Sequence, residues 1–123
     1  MNTYKKSERL CNKKLTENLF VNGKSISEDI FRIVYINVEN QEPILRSQII
    51  VPKRNIAKAV DRNFIKRQIR ESYRKNKHII IDFLKKHNKS LNFAIIFQES
   101  SAKETIMVEE KIKGMFNRLV KTI

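Results

Sequence analysis

The chain has 123 residues, 41% of them hydrophobic, with two Gly, two Pro and a formal net charge of +13. That length and apolar content suffice for one folded domain with a core, and they exclude a fibrous or largely disordered chain. The lone Cys11 excludes an internal disulfide and a cysteine-based zinc site, and the longest unbroken apolar run, Phe93 to Phe97, is far short of the ~20 residues that span a bilayer.

The start, MNTYKKSERL, has charge but no apolar signal region, so a soluble, untargeted protein of a reducing cytoplasm is expected. No repeat, linker or composition break divides the sequence, so a single domain over residues 1–123 is expected, with residues 1–12 polar and loose. A short helix is predicted from Lys13 to Asn22, with Asn12 as N-cap and Gly23 ending it in a left-handed C-cap. Ile30–Val38 and Ile44–Val51 are rich in β-branched residues and flank the turn-like ENQEP, which reads as two neighbouring strands in a hairpin. The run Val51 to Lys77 follows, and its helix is predicted to begin at Ile56 with Asn55 as cap, because Pro52 disfavours helix at Val51. The helix is expected to end near Tyr73 or Arg74. Lys77–Lys86 reads as another short helix, although Ile79–Ile81 alone could pass for strand. Leu91–Gln98 is a third strand, and a last helix opens with the capping-box pattern Ser101-x-x-Glu104. That helix carries Ile112, Met115, Phe116, Leu119 and Ile123 at three-to-four spacing and is expected to pack on the sheet.

Residues 51–77 hold ten Lys/Arg against two acids, a local excess of +8. Fixed charge at that density repels itself unless a polyanion neutralises it, so nucleic acid is the expected partner. Arg62, Lys66, Arg70 and Arg74 are four apart, so each lies about 40° further round the helix and together they sweep about 120°, with Arg67 extending the arc. Ile56, Val60 and Phe64 form one apolar strip and Ile65, Ile69 and Tyr73 a second, which suggests a helix gripped from two sides. An ordinary solvated face interleaves Glu with Lys, whereas here the ladder is nearly unpaired. Half of the ten cations are Lys, which suits backbone contact more than base reading.

Other chemistry is sparse. His78 and His87 are nine apart without cysteine partners, and read as solvated histidines. Glu104, Glu109 and Glu110 read as helix-dipole or solvent-facing carboxylates. There is no glycine-rich phosphate loop and no nucleophile motif.

The order Ala59-Val60-x-Arg62-Asn63-x-Ile65-Lys66-Arg67-x-Ile69-Arg70-Glu71 resembles the protein subunit of bacterial ribonuclease P, whose signature has the form A-V-x-R-N-R-I-K-R-x-I-R-E. Arg9-Leu10, the FVNGK segment from Phe20 to Lys24, and Val51-Pro52-Lys53-Arg54 extend the resemblance over nearly the full length. It implies an α/β (α+β) two-layer sandwich, of the class seen in the second domain of a small-subunit ribosomal protein. Such a fold has a four-stranded, mostly antiparallel sheet with helices packed on it and a left-handed βαβ crossover, where general rules favour a right-handed one. It also implies that an RNA subunit is the catalyst, using Mg2+ bound mainly by that RNA, with no organic cofactor. That RNA removes the leader of precursor tRNA endonucleolytically, and the protein binds both RNAs. No membrane and no obligate protein partner are expected.

Carried over residue by residue, Arg62, Asn63, Lys66, Arg67 and Arg70, with Lys58 and Arg74 on the same element, are the expected contacts to the RNA subunit. Lys53 and Arg54 form the basic loop ahead of them. Phe20 is the expected aromatic of a leader cleft between the first helix and the sheet, where a ring stacks on unpaired bases; a core phenylalanine is the plainer alternative. Three positions depart from the family pattern. Phe64 stands for the second arginine of the R-N-R triplet, Leu15 and Thr16 stand where a second cleft aromatic is usual, and Val34 with Tyr35 beside it stands at the place of a cleft tyrosine. Tyr35 is the substitute expected there, although neighbours on a strand face opposite sides. A generic RNA-binding module would satisfy the charge equally but would not need that residue order. A membrane-surface protein would need bulky residues facing lipid.

Overall fold

The computed structural model describes residues 8–10, 12–28 and 30–123. Cys11 and most of the N-terminal segment expected to be loose lie outside them. The elements are α1 (Lys13–Asn22), β1 (Lys24–Glu28), β2 (Phe31–Val38), β3 (Leu45–Ile50), α2 (Ala59–Asn76), α3 (His78–Lys86), β4 (Ser90–Phe97) and α4 (Thr105–Thr122).

The four strands form one mixed sheet in the order β1-β2-β4-β3. β1 with β2 and β2 with β4 are antiparallel, while β3 with β4 is parallel. The expected β2–β3 hairpin therefore does not form, because β4 lies between them. β4 is apolar and buried along nearly its whole length, the pattern of a strand flanked on both edges and covered on both faces. The parallel β3–β4 pair is joined through α2 and α3, so the basic helix lies within the crossover. β1 was not evident from sequence: in KSISE only Ile26 is buried.

Strand alternation divides the core. Phe31, Ile33 and Tyr35 of β2 and Leu91, Phe93, Ile95 and Phe97 of β4 face α2, α3 and α4 in the larger core. Val34 and Ala94 face the other way, under Leu19 of α1 and Leu10. On the larger side Tyr73, Phe93 and Phe116 meet with ring centroids 5.9–6.1 Å apart, joining α2, β4 and α4. Gln68 adds a second tie, donating from Nε2 to the Lys103 carbonyl at 3.0 Å and to Thr105 Oγ1 at 3.2 Å.

Several termini correct the sequence reading. Asn12 does cap α1, its Oδ1 accepting from Leu15 N–H at 3.2 Å. Gly23, however, is extended (φ −75°, ψ 160°), not left-handed. The glycine is needed for proximity: a Cβ would clash with the Leu19 carbonyl oxygen and lie 2.9 Å from that of Tyr35. α2 begins at Ala59, not Ile56, since the Asn55 amide donates to the Phe97 carbonyl at 3.1 Å and does not cap. It runs on to Asn76, past Tyr73. α4 begins at Thr105 with Glu104 at the cap position and no side-chain cap bond, so the Ser101 box is not realised. The α3 assignment holds, with Ile80 and Leu84 buried.

Residues 8–10 strap the outer edge of β3. Leu10 N–H donates to the Ser47 carbonyl at 2.7 Å, and Arg9 bridges Ser47 in parallel. Glu8 Oε1 meets Lys77 Nζ at 2.8 Å with side chains 15% and 7% exposed, so Lys77 joins α2–α3 to the strap and leaves the basic surface.

The two glycines separate proximity from flexibility. Gly23→Ala should destabilise the fold by about 1–3 kcal/mol, because backbone must move to admit a methyl group. Gly114→Ala, exposed in α4 with nothing within 4 Å of the new Cβ, should stabilise it by about 0.5–1 kcal/mol. Urea denaturation of the two variants and the parent checks both signs.

Candidate nucleic-acid interface

The site starts at a pinned turn. Pro52 cannot continue a ladder, and its carbonyl accepts from Asn55 N–H at 3.0 Å and Ile56 N–H at 3.1 Å. Val51 and Ile56 are buried on either side, and Asn55 is tied to the end of β4. Lys53 and Arg54 at the tip are exposed. A fixed base under two charged side chains lowers the ordering entropy of binding.

On α2 the buried residues are Ile65, Gln68, Ile69, Ser72, Tyr73 and Asn76. They gather on one side, and the opposite side forms the crest. Lys58, Asn63, Arg67 and Arg70 are exposed, and Lys66 is half-buried at the flank. The helix is not gripped from two sides: Ile56 is buried ahead of it, but Val60 and Phe64 are 78% and 49% exposed. The single strip Ile65–Ile69–Tyr73 holds the helix, because Val60 and Phe64 lie roughly 100–180° from it round the axis.

The ladder of four cations is thereby split by position. Arg62 falls toward the buried side, and its Nη1 donates to the carbonyls of Ile56 at 3.0 Å and Ala57 at 2.7 Å, bracing the entry to α2. Arg74 Nη2 meets Glu71 Oε2 at 2.9 Å. That hydrogen bond holds the Glu71 carboxyl below its usual value and raises the Arg74 guanidinium. A depressed carboxylate is ionised at neutral pH, so Glu71 neutralises Arg74 there, and the pair is lost only as pH falls through the lowered range. Arg67 and Arg70 point outward from the ridge. Lys66 and Arg70 also line a cleft of about 280 Å³ with Arg9, Leu10, Ser47 and Gln48, so positive charge continues from α2 round the edge of β3.

Phe20 is 44% exposed on α1, next to the buried Leu19 that seats the helix on Val34 and Ala94. It is therefore not a core phenylalanine. Tyr35 does not stand with it. It is 5% exposed in the larger core, on the far side of the sheet from Leu19, and borders only an end cleft that Asn22 shares with Thr122 and Ile123. Strand parity separates the two, so the expectation for Tyr35 is corrected. A polar group was missed on the α1 side. Arg46 and Asn92 are paired across β3 and β4, with Gln48 next on that face. Arg46 Nε, Gln48 Oε1 and both amide atoms of Asn92 are buried without a hydrogen-bond partner. The signal was Asn92, an amide set between Leu91 and the apolar run Phe93–Phe97.

Elsewhere, His78 Nδ1 lies 3.1 Å from the Lys75 carbonyl and the His87 ring lies 4.3 Å from that of Phe83, so neither is merely solvated. No helix among the described residues is long and apolar enough to cross a membrane.

The model of the Ribonuclease P family matches residues 4–121. The chain belongs to this family. Ribonuclease P protein components similar to it include that of Chlorobium phaeobacteroides, 35% identical over 81 residues, and that of Petrotoga mobilis, 44% identical over 75. The aligned stretches cover 63% and 61% of this chain, and 56% and 61% of those relatives' length. Among solved structures, the RNase P protein from Thermotoga maritima superposes with a TM-score of 0.71 at 25% identity, over 90% of this chain and 96% of that one. The Staphylococcus aureus RNase P protein gives 0.66 at 21% identity, over 91% and 94%, and shares the fold. The ribonuclease P fold thus accounts for the mixed sheet and four helices seen here.

Within this ribonuclease P family member, Arg62 and Arg67 separate bracing from display. Arg62→Ala should destabilise by about 1–3 kcal/mol, as two carbonyls lose a charged donor. Arg67→Ala should stay within about 0.5 kcal/mol of the parent, as exposed substitutions do. Thermal unfolding of the two variants decides it.

Proposed function

We propose that the chain is the protein subunit of ribonuclease P, binding the catalytic RNA and the leader of precursor tRNA during endonucleolytic formation of the mature tRNA end. The observation that carries this reading is the crest of α2, where Asn63, Arg67 and Arg70 are displayed in the family's residue order, with Lys58 exposed at the N-cap and a pinned basic loop ahead of it. Guanidinium groups held on a rigid helix offer planar paired donors to phosphate oxygens and screen the repulsion between two polyanions. Lys53, Arg54 and Lys66 extend the positive surface to either side. Arg62 contributes chiefly by holding the helix entry, and Arg74 contributes less because Glu71 engages it.

The leader would lie along the α1 side of the sheet, where the exposed ring of Phe20 can stack on an unpaired base whatever its identity. The phosphodiester chemistry belongs to the RNA and its Mg2+; this chain's residues bind, orient and screen. The cytoplasm, where precursor tRNA is made, is the proposed compartment.

Cleavage of end-labelled precursor tRNA by the RNA subunit at low Mg2+, with and without the protein, tests the assignment. The protein should restore cleavage at the mature end and be inert alone; binding without any change in cleavage would leave only a generic RNA-binding module. Arg67→Ala with Arg70→Ala should flatten the salt dependence of RNA-subunit binding by about one log unit per lost contact, and Arg74→Ala by less. Phe20→Ala should weaken leader-bearing precursor by roughly tenfold and spare mature tRNA, since one stack is lost; filter binding of both substrates checks it.

A further inference from the structure

Val60 and Phe64 raise a question that the core does not answer. On α2, Phe64 is about 40° round the axis from Val60, and Arg67 about 20° to its other side, so the three share the crest within two turns. All three point away from the buried strip, and Val60 and Phe64 are among the most exposed large apolar residues described. A scattered apolar side chain on a surface needs no explanation. Here an aromatic ring and a valine stand exposed on a mostly cationic helix, with Arg67 one turn beyond the ring, Arg70 further round the crest, and the acids Asp61 and Glu71 one turn before and two turns after.

The charge around the ring selects its occupant. A second copy of this chain would set Lys58, Arg67 and Arg70 against their own counterparts, and self-repulsion opposes that contact. An apolar protein would desolvate the same cations without pairing them. A lipid surface needs a broad apolar face, and two residues do not supply one. RNA meets both demands at once, with phosphate oxygens for the cations and a flat π face for the ring. A base within a duplex has its faces covered by neighbours, so the base must be unpaired.

We propose that Phe64, with Val60 beneath it and Arg67 beside it, is a stacking platform for one unpaired base of the RNA subunit. This rests on the RNA-subunit reading of the α2 ridge. The RNA subunit is the occupant because the platform shares its crest with Arg67 and Arg70, whereas Phe20, assigned to the leader, lies on the other side of the sheet. The guanidinium of Arg67 can close over the same base or hold its phosphate.

The chain has no tryptophan, so Phe64→Trp supplies a single tryptophan, excitable apart from the tyrosines, at the platform. Titration with the RNA subunit should quench that emission while keeping parental affinity. Phe64→Leu keeps an apolar group without the π face and should bind about tenfold more weakly, with an unchanged salt slope because no counterion is released. Thermal unfolding of both variants should match the parent. Parental affinity in Phe64→Leu, or a blue shift of the tryptophan without quenching, overturns the platform. So does quenching only by precursor tRNA in the assembled complex, or a parental dimer in sedimentation that Phe64→Leu dissolves. If the parent shows no salt-dependent binding to the RNA subunit, the functional reading itself fails; if it binds and Phe64→Leu binds as tightly as the parent, only the platform does.

Discussion

Tyr73, Phe93 and Phe116 form a triangle of rings at 5.9–6.1 Å between a helix in the crossover, the central strand and the last helix. Two of its contacts are near edge to face, a geometry that adds about 0.5–1.5 kcal/mol per pair beyond area burial. Everything displayed on α2 depends on this clamp. With Ile65 and Ile69 it fixes the rotation of the helix about its own axis, and that rotation decides which cations point outward. Gln68, bonded to the start of α4, holds the same rotation one turn earlier.

With the rotation fixed, ten like charges become several distinct groups. Arg62 turns back onto the carbonyls ahead of the helix, Lys77 is buried against Glu8, and Arg74 shares its charge with Glu71. Each removes part of the self-repulsion that so basic a segment would otherwise suffer. Arg67, Arg70, Lys58 and the loop pair Lys53 and Arg54 are left outward. The fold therefore uses some of its basic residues to stabilise the element that presents the others, a division that net charge alone cannot express.

Local signals in the sequence were reliable where the deciding physics was local. The Asn12 cap, the extent of α1, the α3 helix and the β2 and β4 runs all follow from periodicity or side-chain bonds within a few residues. Long-range choices were not legible in the same way. Nothing in Ile30–Val38 or Ile44–Val51 says that β4 will come between them; that follows from β4 being apolar on both faces and so competing for the centre of the sheet. Asn55 looked like a helix cap because its amide can serve one, but the end of β4, 42 residues on, claims it instead. Tyr35 and Val34 were adjacent candidates, and only the placement of α1 on one face tells them apart. Val60 and Phe64 looked like core for the opposite reason. Their spacing is helical and apolar, yet a helix resting on a sheet buries one side, and Ile65, Ile69 and Tyr73 already fill it.

The two candidate surfaces lie on opposite faces of the sheet, α1 with Phe20 on one and α2 on the other. The edge of β3 connects them. There the cleft that Lys66 and Arg70 share with Arg9 and Gln48 carries positive charge from the helix ridge toward the α1 face, and the strap of residues 8–10 forms part of its wall. The two faces are therefore joined by one continuous basic margin, not separated by a neutral sheet edge. By tying residues 8–10 to the α2–α3 junction, the Glu8–Lys77 pair holds one wall of the cleft in register with the cations of the other, so one buried contact fixes both sides of the edge.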